Sequence, residues 1–242
     1  MQEARYFKFS IGMLLVPLFS VLSIWTVFWI ELQLGVDFND YGISPRKLLG
    51  LQGILFGPFI HGSIEHLYNN TIPLAVLTLT LFYFYQKDAT KVLLSGVVIA
   101  GFLTWLIGRP SYHIGASGLI YVLASFIFFK GVFTKYYRLI ALSLAIVFIY
   151  GSMLWYIFPI EEGISWEGHL SGFVTGLLLA RIIKSEIPEP KKYKWEQDDF
   201  NEEEDEFLRH FDENGNFIEK TTSSDEEAIK VIYDFKKSKK NL

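Results

Sequence analysis

The chain has 242 residues, 51% of them hydrophobic and 17% aromatic, with 22 Lys and Arg against 26 Asp and Glu and a net charge of −4. It contains no cysteine, which excludes disulfides, thiolate metal sites and a cysteine nucleophile. The charge is unevenly spread: residues 1–185 carry 12 basic and 9 acidic groups, whereas residues 186–242 carry 10 basic and 17 acidic ones. A long charge-poor stretch followed by a charge-dense one implies two surroundings, lipid and water.

At the N-terminus, Arg5 and Lys8 precede an uncharged run from Ser10 to Ile30. A cleavable signal peptide has an apolar core of about 7–15 residues. This run is longer and continues into Trp-Ile-Glu, so it reads as a retained first span. A helix crosses the bilayer core with roughly 20 apolar residues, about 17–25 being tolerated. Six stretches are read as spans, the fourth and the sixth falling below that length: Ile11–Ile30, Leu67–Gln86, Val92–Gly108, Gly115–Phe129, Leu139–Ile160 and Gly168–Ile183. The fourth is short and bounded by Arg109 and Lys130. The sixth is short too, and ends at Arg181 and Lys184, whose stems can snorkel. The expected fold is an all-α membrane protein of six transmembrane helices, residues 1–185, followed by an acidic cytoplasmic tail, residues 186–242.

Between the first two spans lies a long loop. Its uncharged piece Leu48–Ile60 is broken by Gly50, Gly53, Gly57 and Pro58 and is too short to span. It fits a half-embedded interfacial segment or an apolar loop packed on the helices. In the tail, Glu202–Glu206 is an acidic run and Asp212-Glu-Asn-Gly-Asn216 a turn signal without the full EF-hand pattern. The tail reads as solvated and partly disordered.

Orientation follows from Lys and Arg. With the N-terminus in the cytoplasm, 12 basic residues fall on that side, from Arg5 and Lys8 through Lys87, Lys91, Lys130, Lys135 and Arg138 to the cluster after Arg181. Only Arg46, Lys47 and Arg109 fall outside. Both termini are expected in the cytoplasm, with a bacterial plasma membrane as the expected location.

Polar side chains inside a bilayer are costly and therefore functional candidates. Away from their ends the predicted spans hold no Asp, Glu, Lys or Arg, which leaves His66 and Asn70, Ser117 and Tyr121, and His169. Ser117 lies in His113-Ile-Gly-Ala-Ser-Gly118, at the outer start of the fourth span. Gly115 and Gly118 let a substrate backbone approach closely, and the free N–H groups of a helix start face an incoming anion. Taken alone, Gly-x-Ser-Gly also fits the packing of small residues between helices.

His169 heads the sixth span, where Gly168, Gly172 and Gly176 form a small-residue ladder. Alone it could be a hydrated interfacial histidine. If the ladder packs on the fourth span, His169 reaches the depth of Ser117 and can act as its base. His66 and Asn70, four residues apart, share a helix face and can donate to developing negative charge or join two helices by a hydrogen bond. Asn69 is expected to point elsewhere.

The motifs His61-Gly-Ser-Ile-Glu-His66-Leu-Tyr-Asn-Asn70, Gly115-Ala-Ser-Gly118 with Tyr121, and Gly168-His169-Leu-Ser-Gly172-Phe-Val-Thr-Gly176 together resemble the rhomboid family, over about residues 10–184. The resemblance implies an intramembrane serine endopeptidase with a Ser–His dyad and no acidic third member. Ser117 would be the nucleophile and His169 the general base and acid. His66, Asn70 and the Ser117 backbone N–H would form the oxyanion hole. Tyr121 would stack on His169, Gly172 and Gly176 would let the sixth span close on the fourth, and His61 would be structural. The Trp-Arg pair that many bacterial rhomboids carry in the first outer loop is replaced here by Leu51-Gln52-Gly53-Ile54.

The expected partners are transmembrane protein substrates and the lipid bilayer, not nucleic acid, and no cofactor or metal is expected. A non-catalytic rhomboid-like binder would have lost the serine or the histidine. A transporter or channel would carry membrane-embedded charges.

Overall fold

The computed structural model describes residues 9–186 and 193–218; the expectations for Arg5, Lys8, Lys191, Lys192 and the chain beyond 218 lie outside the described residues. Among the described residues six long helices follow one another: α1 (Gly12–Leu34), α2 (Ile64–Phe84), α3 (Gln86–Ile107), α4 (Ser117–Thr134), α5 (Tyr137–Tyr150) and α6 (Trp166–Ile182). A 3-10 segment, Gly151–Ile157, continues α5. Five of these helices, α5 being counted with its extension, are long and apolar enough to cross a membrane. The sixth, α6, has 17 residues. Among the described residues, strand-like pairing is confined to two isolated bridges, Ile43–His113 and Phe211–Phe217. The protein is an all-helical, multi-pass integral membrane protein.

The helix ends depart from hydropathy in ways that local chemistry explains. α1 runs past Ile30 because Glu31-Leu32-Gln33 continue it to Gly35, whose φ of 61° and N–H bond to Glu31 O form a left-handed cap. α2 begins earlier than Leu67, at the Ser63 N-cap, whose hydroxyl accepts from the His66 N–H at 3.1 Å. α3 begins at Gln86 and takes Asp88 into its first turn, where the helix dipole favours a negative charge.

The fourth span corrects the sequence reading. Lys130 does not bound it: α4 continues to Thr134 and buries Lys130. Its ammonium donates to the carbonyls of Ala180 (3.3 Å) and Ile183 at the end of α6. Those terminal carbonyls have no partner within their own helix, so a cation is satisfied there. The charge-free interior expected of the spans therefore has an exception. Glu167, 2% exposed, is buried too, but in the first turn of α6, at a helix end.

α4 is the central helix, with nine buried residues from Ile120 to Gly131. α6 lies directly on it. A Cβ on Gly172 would sit 2.2 Å from Gly118 O, and one on Gly176 2.4 Å from Val122 O. Only glycine permits that approach, as the small-residue ladder predicted. The many buried polar groups of α6 explain its weak hydropathy: it lies within the bundle rather than against lipid. α5 is held differently. Its buried residues are Leu139, Ser143 and Ile146, in its first ten positions. Ser143 Oγ donates to Phe128 O at 2.8 Å. Beyond Ile146 the helix turns outward, with Phe148 91% exposed.

The Leu48–Ile60 piece forms three successive helical turns, Leu48–Gln52, Gly53–Phe56 and Gly57–Phe59. Its glycines face inward; a Cβ on Gly53 would meet the Gly42 backbone at 2.1 Å. Leu48, Leu49, Leu55 and Phe56 are exposed. The segment is thus amphipathic, packed on the bundle through its glycines with apolar side chains on its outer face.

The chain divides into two compact units, Met1–Pro190 and Lys191–Leu242. In the second, residues 193–218 form three short 3-10 turns. The Asp212 carboxylate accepts from the N–H groups of Asn214 and Asn216 and from the Asn216 amide. The Asn216 bonds, the side-chain amide foremost, hold the Asp212 pKa below the usual carboxylate value. This is an Asx-type turn.

Candidate active site

The site is assembled around the start of α4. Gly115 has φ +99°, and a Cβ there would lie 2.6 Å from His66 Nε2 and 3.5 Å from Asn70 Nδ2. The backbone can therefore pass these two side chains only at glycine. Its N–H donates to Gly57 O at 2.9 Å, and the Ala116 N–H points to His61 Nε2 at 3.5 Å. His61 is thus a structural acceptor, with Nδ1 donating to Phe59 O at 3.2 Å. Burial lowers its pKa to about 4, with help from neighbouring His66. The neutral tautomer demanded by these two bonds is the one that burial favours.

Ser117 is the first residue of α4, so its N–H has no partner within the helix. Its Oγ lies 2.9 Å from His169 Nε2. The other nitrogen of His169, Nδ1, lies 3.0 Å from Tyr156 O. A carbonyl can only accept, so Nδ1 carries the proton and Nε2 is left to accept from the serine hydroxyl. The Tyr121 ring stacks on His169 with centroids 4.3 Å apart and planes 13° from parallel. The Tyr121 hydroxyl donates to Met153 O at 2.5 Å. Both carbonyls belong to the 3-10 segment after α5.

A cavity of about 940 Å³ joins Ser117, His169, Tyr121, His66 and Asn70. Asn70 is 5% exposed, and its buried Nδ2 has no hydrogen-bond partner. A buried donor without a partner beside a cavity is an open place for an acceptor. Asn69, expected to point elsewhere, lines the same cavity. Gly118 faces Gly168 O at ordinary contact distance, 3.5 Å from where a Cβ would stand. Among the described residues no group of three or more His, Asp or Glu is placed to hold a metal ion.

Sequence reasoning missed a second layer that fixes the loops around this site. Arg109 donates from its backbone N–H to Glu167 Oε1 (3.1 Å) and from its guanidinium to Ile164 O (2.5 Å). His113 donates to Arg109 O (3.1 Å) and accepts from Ser165 Oγ (2.5 Å), the N-cap of α6. Burial lowers the His113 pKa. Glu167 could have been suspected as an acid in a helix's first turn. Tyr156 and Met153 act through main-chain carbonyls, which leave no trace in residue type.

A model of the rhomboid domain matches residues 50–186, more than half of the chain. The chain belongs to the rhomboid family. Rhomboids are in general intramembrane serine proteases. Among similar proteins, the uncharacterized protein Rv1337 of Mycobacterium tuberculosis and the uncharacterized protein Mb1372 of Mycobacterium bovis are each 37% identical to this rhomboid over 162 residues. The alignment covers 62% of this chain and 65% of each relative. The uncharacterized protein ML1171 of Mycobacterium leprae is 33% identical over 162 residues, covering 63% of both chains. This rhomboid thus spans just under two-thirds of the length of those relatives.

Proposed function

We propose that this rhomboid is an active intramembrane serine endopeptidase that hydrolyses peptide bonds of membrane-anchored proteins with Ser117 as nucleophile and His169 as general base and acid. One relationship carries the reading: His169 Nε2 lies 2.9 Å from Ser117 Oγ while its Nδ1 is committed to Tyr156 O. That tautomer accepts the Ser117 proton as Oγ attacks the scissile carbonyl and returns it to the leaving amine. Water then repeats the sequence on the acyl-enzyme.

The negative charge on the attacked oxygen is met by the Ser117 N–H, Asn70 Nδ2 and the His66 ring. Donors of this kind are worth about 10²–10³ in rate each. The unpartnered Asn70 amide supports this role. Tyr121 holds the plane of the imidazole, and the Tyr156 carbonyl stands where an acid stands in a triad. A buried helix hides its carbonyls in its own hydrogen bonds, so the substrates are transmembrane segments that unwind readily near the outer boundary of the membrane. The 12-to-3 distribution of Lys and Arg supports cytoplasmic termini and a site opening outward in a bacterial plasma membrane.

Labelling with a serine-directed fluorophosphonate tests the dyad. The unaltered protein labels, and Ser117→Ala and His169→Ala do not. Equal labelling of Ser117→Ala, or none of the unaltered protein, sinks the assignment.

A further inference from the structure

The cavity that contains Ser117 and His169 has a charge of one sign. Glu65, in the first turn of α2, and Glu161, in the loop before α6, both line it, and both are exposed. No Lys or Arg is among its described lining residues. A third carboxylate stands beside it: the hydroxyl of Tyr112, another lining residue, bonds to Asp40, whose charge raises the tyrosine pKa. The two arginines on this side are engaged elsewhere. Arg109 is taken by Glu167 and Ile164 O, and Arg46 donates to the carbonyls of Leu106 (3.2 Å) and Gly108 (2.8 Å). Around these helix ends and loops the acids Glu31, Asp37, Asp40, Glu65, Glu161, Glu162 and Glu167 stand against Arg46, Lys47 and Arg109.

Acidic residues alone would be an ordinary solvated rim. Here the same cavity holds the Asn70 amide, 5% exposed and without a partner, where an acceptor from a bound chain belongs. Glu65 and Glu161 line the same cavity as Asn70, so a chain bound there lies in a space shared with both carboxylates. A cleft lined by one sign of charge concentrates ligands of the other sign.

We propose that Glu65 and Glu161 are specificity-determining residues that select transmembrane substrates with Lys or Arg in the segment just outside the scissile bond. This rests on the protease reading and names its substrate class. The selection runs against the usual pattern, because membrane proteins place most of their Lys and Arg on the cytoplasmic side. An acidic mouth therefore passes over most spans and accepts those with an atypical basic outer flank. Glu65 also lies in a helix's first turn, where a carboxylate complements the dipole. A role confined to that would be indifferent to the charge of the substrate.

The test uses the full chain in proteoliposomes and three peptides with one identical transmembrane segment. The four residues outside the cleavage point are Lys-rich, Ser-rich or Glu-rich. The expected order of kcat/KM is Lys above Ser above Glu, with about a five- to tenfold spread at low salt, carried by KM and compressed at high salt, as solvated ion pairs are. The double variant Glu65→Lys/Glu161→Lys reverses the order, and because the readout is a ratio between peptides it does not depend on how much variant protein folds. Charge-indifferent cleavage, or a spread unchanged in the double variant, overturns the proposal and leaves the protease reading standing. Failure to cleave any of the three peptides overturns both.

Discussion

The main-chain carbonyl of Tyr156 lies 3.0 Å from Nδ1 of His169 and fixes the tautomer of a histidine with no acidic partner. The same 3-10 segment offers Met153 O to the Tyr121 hydroxyl at 2.5 Å, and the Tyr121 ring covers the imidazole. The ring, not the hydroxyl, is the part of Tyr121 that touches His169. Tyr121→Phe keeps the stack and is expected to lower kcat/KM less than about twofold. Tyr121→Ala removes a stack worth about 0.5–1.5 kcal/mol and is expected to lower it roughly two- to tenfold. Steady-state cleavage by the two variants checks this; equal losses would mean that the hydroxyl bond, not the ring, holds His169.

Two neighbouring glycines separate a close helix contact from an open one. A Cβ on Gly172 would lie 2.2 Å from Gly118 O, whereas one on Gly118 finds nothing nearer than 3.5 Å. Gly172→Ala therefore pushes α6 off α4, destabilising the bundle by about 1–3 kcal/mol and separating His169 from Ser117. Gly118→Ala leaves the thermal midpoint nearly unchanged. Differential scanning fluorimetry of both variants in the same detergent measures the contrast, and equal midpoints would contradict the packing described.

Acid should loosen the structure through His61. Its folded pKa of about 4 lies below the ordinary 6.5 of the unfolded chain, so between these values the unfolded state binds the extra proton. Stability is complete above about pH 6.5 and falls as the pH drops toward 4, by on the order of 3 kcal/mol at most. His61→Gln removes that slope, at the cost of lower stability near neutral pH. Thermal midpoints from pH 7.5 to 4.5 test it; a slope unchanged in the variant would place the acid sensitivity elsewhere.

Because the chain has no native cysteine, single cysteines report its orientation directly. Glu162→Cys is expected to react with an impermeant maleimide added to intact cells, and Glu204→Cys only after lysis. The reverse pattern would invert the orientation argued from Lys and Arg.

Six apolar runs made the bundle legible, because length and hydropathy alone decide what can cross a bilayer. The helix ends were not legible where a single interaction overrode hydropathy. Gly35 carried α1 four residues beyond Ile30, and the bare carbonyls closing α6 let Lys130 sit inside α4 rather than mark its end. At the site, His66, Asn70, Ser117, Tyr121 and His169 stood out because polar groups are scarce in the spans, and the glycine ladder foretold the contact that joins α4 to α6. Tyr156 and Met153 did not stand out, since a carbonyl belongs to every residue. Asn69 lines the cavity as well, because a cavity this wide gathers more than one helix face.

The central claim is that Ser117 and His169 cut a peptide bond in a membrane-anchored protein. Its most direct test is cleavage of a purified transmembrane substrate, reconstituted with the full chain in proteoliposomes and followed by mass spectrometry of the products. One principal cut near a membrane boundary is expected, with Ser117→Ala and His169→Ala each slower by about 10³-fold or more. Cleavage by Ser117→Ala at the rate of the unaltered protein would contradict it.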